Sequence, residues 1–461
     1  MSRRVLASLL MLSLVVAAVA LTNPSSALAQ DNGDVNISGG QAGVAVDAEG
    51  VLRMQTFADP GGRLTRQRIA AAKATLGNDL TRVKDTIYIS LNRLEKAVVD
   101  RQGVPTDEMK YLAGLQRVKH VFYFPETKDI VIAGPAEGWM TQPSGRVVGL
   151  KSGRPVVQLQ DLVVALRAFA PGQRATGLIG CSIDPTEEGL AAMQRFIRGV
   201  GPLDPRRVNE QVQYITNGMR NSMGLRDVRV DGVAAGTHFA QVLVEADYRM
   251  KLIGIGLEKP PVNIGSYVKF ARSSGSLQRW FFVPDYECVR VSEDGLAMEL
   301  VGDGVKLVGE SEMVNAQGQR KVTGATNRAS QLFVNSFTKN YGKLADVSPI
   351  YAELRNVIDL SVAAAHIQKE DYYKRSGWNM DFFGDESKFS VQTYNPPKKV
   401  GSALNVIFKG GRLMVPIAGG VNIQAKKALN SENLLEDENQ RVEKLRKGVE
   451  LKLAEGQWWW D

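Results

Sequence analysis

The fold is decided by residues 237–310, which begin THFAQVLVEADYRMKLIGIG (237–256) and end RWFFVPDYECVRVSEDGLAMELVGDGVKLVGE (279–310). A polar loop with Pro260 and Pro261 separates the two parts. In the second part, β-branched and aromatic residues alternate with Gly, Asp and Pro, a pattern typical of strands and turns. We therefore predict that this stretch forms the central sheet. It contains no nucleophile elbow, phosphate-binding loop, dinucleotide motif or metal-ligand spacing, so it indicates neither a cofactor nor a metal site.

Composition is that of a globular protein with more than one domain. The chain has 461 residues, of which 44% are hydrophobic and 23% charged. Single hydrophobic cores stop growing well below this length, so two or three domains are expected. The formal net charge is +8. Because the basic residues do not gather into a stripe with interleaved aromatics, we predict no nucleic-acid binding.

The first 29 residues have the pattern of a signal peptide. Arg3 and Arg4 precede an apolar run from Val5 to Leu21, and a small-residue site at 27–29 is followed by Gln30. This pattern predicts export to the periplasm or beyond, with cleavage after Ala29. A twin-arginine route and an uncleaved membrane anchor are the alternatives. No later stretch approaches 18 apolar residues, so no transmembrane span is predicted in the mature chain.

The periodicity of the remaining chain predicts an α+β fold with mixed, largely antiparallel sheets, packed helices and two domains. We divide it into an N-terminal hairpin with helices (30–103), a mixed α/β domain (104–235), a central sheet with a helical hairpin and a closing β-hairpin (236–430), and a charged helix with a Trp-rich tail (431–461). The sharpest local predictions are a hairpin with its turn at Asp47–Gly50, a helix capped by Ser90, a hairpin over 118–134 and a closing hairpin with its tip at Lys409–Arg412.

Two pairs of carboxylates are the candidate catalytic residues. Glu245 and Asp247 are two residues apart, as are Asp285 and Glu287. On strands, this spacing places both members of a pair on one face, and clustered carboxylates can serve glycoside hydrolysis or bind divalent cations. The alternative is that they form the wet face of a half-buried sheet.

Cysteines and tryptophans supply the other candidate sites. The two cysteines, Cys181 and Cys288, are candidates for a disulfide in an exported protein, or for two small buried side chains. Three consecutive tryptophans, Trp458–Trp460, follow the charged segment. Either the tail grips a partner or a membrane interface, or it folds back onto the protein.

Several long runs resemble one known family. They include VKHVFYFPETKDIVIAGPAEGW (118–139), GCSIDPTEEGLAAMQ (180–194), FAQVLVEADYRMKLIGIGLE (239–258) and GWNMDFFGDE (377–386). Over residues 90–430 the chain resembles an exported bacterial family known only as a domain of unknown function and abundant in planctomycete-type bacteria. The resemblance implies life in or outside the cell envelope and no particular activity.

The functional hypothesis is an exported, non-enzymatic cell-envelope scaffold or binding module, whose partner is an envelope or extracellular protein or polymer. A hydrolase that uses Glu245, Asp247, Asp285 and Glu287 is the alternative.

Overall fold

The computed structural model describes residues 42–201, 206–271, 277–314, 320–322, 327–405, 417–451 and 453–461. The predicted leader and the predicted hairpin tip at 409–412 lie outside these residues. The strands are β1 Ala42–Val46, β2 Val51–Thr56, β3 Lys84–Ser90, β4 His120–Phe124, β5 Asp129–Ala136, β6 Trp139–Thr141, β7 Val147–Gly149, β8 Ile179–Asp184, β9 Leu225–Asp231, β10 Leu277–Pro284, β11 Val289–Val291, β12 Ala297–Leu300, β13 Val305–Val314, β14 Arg320–Val322, β15 Lys399–Gly401, β16 Ile417–Ile423, β17 Leu434–Leu435 and β18 Trp459–Trp460.

The α-helices range from single turns to the 21 residues of the longest. They are α1 Arg63–Thr75, α2 Asn78–Thr81, α3 Leu91–Val99, α4 Asp107–Lys110, α5 Leu159–Ala168, α6 Glu187–Gly199, α7 Val208–Met223, α8 His238–Gly254, α9 Tyr267–Phe270, α10 Arg328–Lys339, α11 Tyr341–Val347, α12 Pro349–Lys369, α13 Tyr372–Ser376, α14 Ala425–Ala428 and α15 Arg441–Lys447. Short 3-10 helices occur at Pro60–Gly62, Leu112–Gly114, Ser431–Asn433 and Glu438–Gln440.

Two large mixed sheets organise these elements. The first has the order β1-β2-β15-β9-β8-β16-β10-β13-β14 and the second β17-β11-β12-β4-β5-β3-β18, while β6 and β7 form a separate pair. In the described sheets, the parallel pairs are β2 with β15, β10 with β16 and β11 with β17. The other neighbours are antiparallel, which confirms the predicted class of mixed, largely antiparallel sheets with packed helices.

The first sheet joins strands from three of the segments into which we divided the sequence. It combines β1 and β2 from segment 30–103 with β8 and β9 from segment 104–235. Strands β10, β13 and β16 of the same sheet come from segment 236–430. Every residue described belongs to one compact unit, Asp34–Asp461. The segment boundaries remain a prediction.

Three of the local predictions that rest on turns and caps are confirmed. Strands β1 and β2 pair across the turn at Asp47–Gly50, and β4 pairs with β5 across the predicted 118–134 hairpin. Ser90 caps α3, because its hydroxyl accepts a hydrogen bond from the backbone N–H of Arg93. These signals are local in the sequence, so they need no tertiary contact to be interpreted.

The prediction that residues 237–256 belong to the sheet is wrong, because His238–Gly254 is helix α8. Thr237 caps it by accepting a hydrogen bond from the N–H of Ala240 at 3.2 Å. Every residue from Val242 to Gly254 is buried, since the helix packs on β8, β16 and α12. A helix buried on all sides shows no amphipathic period, and its apolar run resembles that of a strand.

The second part of the stretch does form strands. Residues 277–314 contain β10, β11, β12 and β13, and β10 lies against both β13 and β16. The indole of Trp280 on β10 is fully buried and lies against Gly254. A Cβ atom at residue 254 would lie 2.0 Å from that ring, so only glycine allows this close packing of α8 on the sheet.

The predicted charged helix over the C-terminal segment is also wrong in extent. Only Arg441–Lys447 is α-helical there. Asn439 and Gln440 have φ angles of 57° and 53°, which no α-helix can contain, and Gly448 follows the last turn. The other described residues of this segment form two short 3-10 helices, strand β17, turns and extended chain, and the segment ends in strand β18.

Candidate functional site

A cleft of about 450 Å³ opens beside the first turns of α8. Its walls come from β1, residues 144–147, α8, α12 and residues 392–395. Pockets that hold small molecules have volumes of about 300–1,000 Å³. The lining is rich in polar and aromatic side chains, so it is suited to a polar ligand. The polar and aromatic side chains of the lining include those of Tyr111, Ser144, Arg146, His238, Glu353 and Tyr394.

Arg146 joins two carboxylates at the wall of this cleft. Its Nη2 lies 2.6 Å from Oε2 of Glu245 on α8, and its Nε lies 2.9 Å from Oε2 of Glu353 on α12. Burial alone would lower the pKa of Arg146, but the two carboxylates raise it. The guanidinium is therefore a permanent cation that holds the loop at 144–147 against the two central helices.

A second ion pair adjoins the first. Nη2 of Arg249 lies 2.7 Å from Oε1 of Glu258, and Nη1 lies 3.5 Å from Oε1 of Glu245. All three side chains are more than nine-tenths buried. Glu245 therefore lies between two arginines. Removing one partner from such a buried network leaves an uncompensated buried charge, which strongly destabilises the folded protein.

His238 and Asp161 form a charged pair at the same cleft. Nδ1 of His238 lies 2.8 Å from Oδ2 of Asp161 on α5. Burial alone would lower the pKa of His238, but Asp161, with a smaller effect from Glu353, raises it to about 9. The imidazole is therefore protonated at neutral pH, and its Nδ1–H donates to Asp161. Asp161 lies in the first turn of α5 and Gln158 is at the N-cap position, so the carboxylate of Asp161 is free to hold the histidine.

Some buried polar atoms at or beside the cleft have no hydrogen-bond partner within the described part of the chain. They are Oε1 of Glu353, Oγ of Ser144 and Oδ1 of Asp161. Glu353 is only 5% exposed. An unpaired buried carboxylate oxygen is costly, because it has lost water without gaining a donor. Glu353 thus has one oxygen bound to Arg146 and one, Oε1, without a donor among the described residues.

The structure does not gather the four predicted carboxylates. Only Glu245 lines the cleft. The strand spacing that was to align it with Asp247 does not exist, because successive residues of a helix turn by about 100° and residues i and i+2 point apart. Asp285 follows β10 and pairs with Nζ of Lys306 at 2.7 Å, while Glu287 is exposed in the next turn.

Asp247 lies in the core and pairs there with Lys251. Its Oδ2 is 2.6 Å from Nζ of Lys251, and both side chains are fully buried. Nζ also donates to the carbonyls of Ile183 and Gly419. Burial raises the pKa of Asp247 to about 6, although Lys251 opposes the shift. This pair ties α8 to β8 and β16, so its role is structural.

The two cysteines are free and buried, so the structure contains no disulfide between them. Cys181 is on β8 in the first sheet, whereas Cys288 lies next to β11 in the second. Burial raises the pKa of both thiols, that of Cys288 to about 12. Neither forms the thiolate that a nucleophile requires at neutral pH.

The tryptophan tail folds back onto the protein. Strand β18 pairs antiparallel with β3, and the backbone carbonyl of Trp458 accepts from the N–H of Ser90 at 2.9 Å. Trp458 and Trp460 are buried and pack in different hydrophobic clusters. Trp460 stacks on Tyr88. Trp459, the strand neighbour of Trp460, packs against the cluster of Trp458, and since neighbouring residues of a strand point to opposite faces, the tail places rings on both sides of the sheet.

Our sequence reasoning missed Arg146, Glu353 and the pairing of His238 with Asp161. These residues are up to 207 positions apart, as for Arg146 and Glu353. One signal was present in α12, where Glu353, Arg355 and Asp359 interrupt an otherwise apolar helix. Two of these charges have distant buried partners, Glu353 with Arg146 and Asp359 with Arg117, so they mark positions at which distant residues meet.

Comparison with known protein families gives a match to only part of the chain. A family described as "Protein of unknown function (DUF1598)" matches residues 181–267. This match covers β8 through α8 and two of the runs on which the resemblance rested, so it confirms a domain of unknown function over a shorter range than 90–430. No curated protein and no solved structure matches the chain. Among the described residues, no helix is long and apolar enough to cross a bilayer.

Proposed function

We propose that this protein is an exported binding protein that holds a small polar molecule in the cleft beside α8. The observation that carries the proposal is the buried carboxylate of Glu353, which lines a ligand-sized cleft and keeps Oε1 unpaired in the described part of the chain. Buried polar groups in such clefts fix the orientation of ligands. The envelope or extracellular partner expected from the sequence would then be recognised through a polar group small enough to enter this cleft.

The chemistry of the cleft favours binding over catalysis. His238 is protonated at neutral pH, so it cannot accept a proton from a nucleophile. Ser144 also lines the cleft, but its Oγ has no hydrogen-bond partner among the described residues, and so it is not activated by His238. Glu245 is held between Arg146 and Arg249. These contacts leave the lining groups suited to hydrogen bonding.

One specific observation supports the hydrolase alternative. Glu245 and Glu353 both line the cleft, on either side of Arg146. A pair of carboxylates facing one cavity is the arrangement that glycosidases use. Turnover of p-nitrophenyl glycosides by the wild type, lost in Glu353→Gln and in Glu245→Gln, would favour the hydrolase over the binding protein.

Binding is tested by a thermal shift with a panel of small polar compounds, namely monosaccharides, amino acids, polyamines and dipeptides. The cleft is filled by the variant Gln241→Trp, since Gln241 lines it from α8. Gln331→Trp on the exposed face of α10 is the matched control. We expect a compound that raises the Tm of the wild type and the control but not that of Gln241→Trp. A panel without such a compound contradicts the proposal.

Export is tested on the native protein. The mature form should begin at Gln30 by mass spectrometry, because the small-residue site at 27–29 is the expected cleavage point. The envelope and culture fluid are the fractions to examine. Recovery of the intact Met1 form from the membrane fraction would contradict the cleaved-leader proposal.

A further inference from the structure

The ion-paired network that reaches from the cleft wall into the core carries an excess of negative charge, which bears on the ligand that the proposed function requires. Among the described residues, the ion-paired groups at and beside the cleft are the carboxylates Asp161, Glu245, Glu258 and Glu353 and the cations Arg146, His238 and Arg249. With His238 protonated, four negative charges face three positive ones. One negative charge is therefore uncompensated in this set.

The uncompensated charge is located at Glu353. Arg249 is engaged by Glu258 and Glu245, and His238 by Asp161. Of the two carboxylate oxygens of Glu353, Oε2 accepts from Arg146, whereas Oε1 has no donor among the described residues. Leaving a carboxylate oxygen buried and unpaired costs free energy that a donor in the cleft would recover.

We propose that the ligand carries a protonated amine and that this ammonium group donates a hydrogen bond to Oε1 of Glu353. An ammonium group has three N–H donors and no acceptor, which fits a carboxylate oxygen with the unpaired Oγ of Ser144 in the same cleft. Tyr111 and Tyr394 also line the cleft and supply aromatic faces that attract cations. This assignment rests on the proposed function and names its ligand class.

A metal ion is a poorer occupant than an amine. Ca²⁺ takes six to eight oxygen ligands and Mg²⁺ requires an octahedral set. Glu245 and Glu353 each give an oxygen to Arg146. No group of three or more His, Cys, Asp or Glu residues that could hold a metal occurs in the described ranges. A single charge with directional N–H donors is a better match for the unpaired Oε1 of Glu353.

The test uses matched pairs of probes that differ in an amine against a hydroxyl: glucosamine with glucose, ethanolamine with ethylene glycol, and putrescine with 1,4-butanediol. Binding to the full-length protein is measured by calorimetry at pH 7. We expect at least one amine to bind and its neutral partner to bind at least tenfold more weakly, since a charge-assisted hydrogen bond contributes about that factor or more.

Variants locate the amine in the cleft. Glu353→Gln keeps the shape of the side chain and removes its charge, so amine affinity should fall about tenfold or more. Glu210→Gln, an exposed change on α7, is the matched control and should leave affinity unchanged. Tyr394→Ala leaves the ion pairs intact and should weaken amine binding about threefold to tenfold. Circular dichroism checks that each variant is folded.

The possible outcomes separate this inference from the proposed function. Equal binding of amine and neutral partners, or an unchanged amine affinity in both Glu353→Gln and Tyr394→Ala, overturns the amine assignment and leaves the binding function in place. Tighter binding of CaCl₂ alone than of every amine also overturns the assignment. If no probe binds and the broader panel gives no thermal shift, both conclusions fail.

Discussion

The protein should lose stability as the pH rises from 6 to 9, because the unfolded chain releases the proton of His238 near pH 6.5 whereas the folded protein holds it to about pH 9. Burial opposes the charge on His238, but Asp161 and Glu353 raise its pKa from 6.5 to about 9, while Arg146 opposes them. A group whose pKa is raised by folding stabilises the protein fully below its unfolded pKa. That contribution is lost as the pH rises through the folded pKa.

The size of the effect follows from the shift in pKa. A difference of about 2.5 pH units at about 1.4 kcal/mol per unit corresponds to on the order of 3 kcal/mol, most of which should be lost by pH 9. His238 is 16% exposed at its side chain, so solvent screens the pair little. A loss of this size is a large part of the stability of an ordinary domain.

Urea unfolding, followed by tryptophan fluorescence at pH 6 and pH 9, measures the effect. The perturbation is His238→Gln, which can still donate a hydrogen bond to Asp161 but does not titrate. The two buried thiols also contribute to the loss of stability above pH 8, because folding raises their pKa values. For this reason the quantity compared is the pH-dependent loss in the wild type minus that in the variant, expected to be about 3 kcal/mol.

Asp161→Asn is the companion variant. It removes the carboxylate that raises the pKa of His238, so it should also flatten the stability profile between pH 6 and pH 9. The reasoning is refuted if His238→Gln loses as much stability over this interval as the wild type does. It is also refuted if the stability of the wild type rises with pH.

Three further predictions concern the core and the tail. Replacing Lys251 by Met leaves Asp247 buried without its partner and should cost about 3–5 kcal/mol in urea unfolding, whereas the double variant Lys251→Met, Asp247→Leu should cost less. Burial lowers the pKa of His366 to about 3, so its contribution is present above pH 6.5 and lost as the pH falls. Between pH 6.5 and 4.5 this loss should be about 2 kcal/mol, and His366→Gln should remove it; equal acid sensitivity in both proteins would exclude this cause. Deleting residues 458–461 removes β18 and two buried indoles and should lower the free energy of unfolding by about 5 kcal/mol, while an unchanged urea midpoint would mean that the tail is not docked.

The structural elements that could be predicted from the sequence are those specified by residues close to one another in the sequence. The hairpin of β4 and β5 and the cap at Ser90 depend on residues within a few positions of one another. Helix α8 could not be recognised from its hydrophobic pattern, because burial on all sides removes the period. Its charges carried the missing signal, since Asp247 and Lys251 are four residues apart and face each other only in a helix.

The cleft could not be predicted, because its residues meet only through the fold. His238 and Asp161 are 77 residues apart, and Arg146 and Glu245 are 99 apart. A single sequence gives no measure of which distant charges pair, although an ion pair is expected for each charge inside an apolar helix. Glu245 was selected for its spacing to Asp247, and it reaches the cleft for a different reason, its contact with Arg146.

The order of strands in the large sheet has a consequence for the rate of folding. Residues 51–52 on β2 pair with β15 at residues 399–400, and residues 179–183 on β8 pair with β16 at residues 419–423. The chain between such strands must close into a loop of hundreds of residues before the pairing gives any stability. Topologies with many distant contacts fold slowly, over milliseconds to seconds or longer. Slow folding is compatible with the proposed export, because a chain that folds slowly stays extended long enough to enter a channel that accepts only unfolded polypeptides.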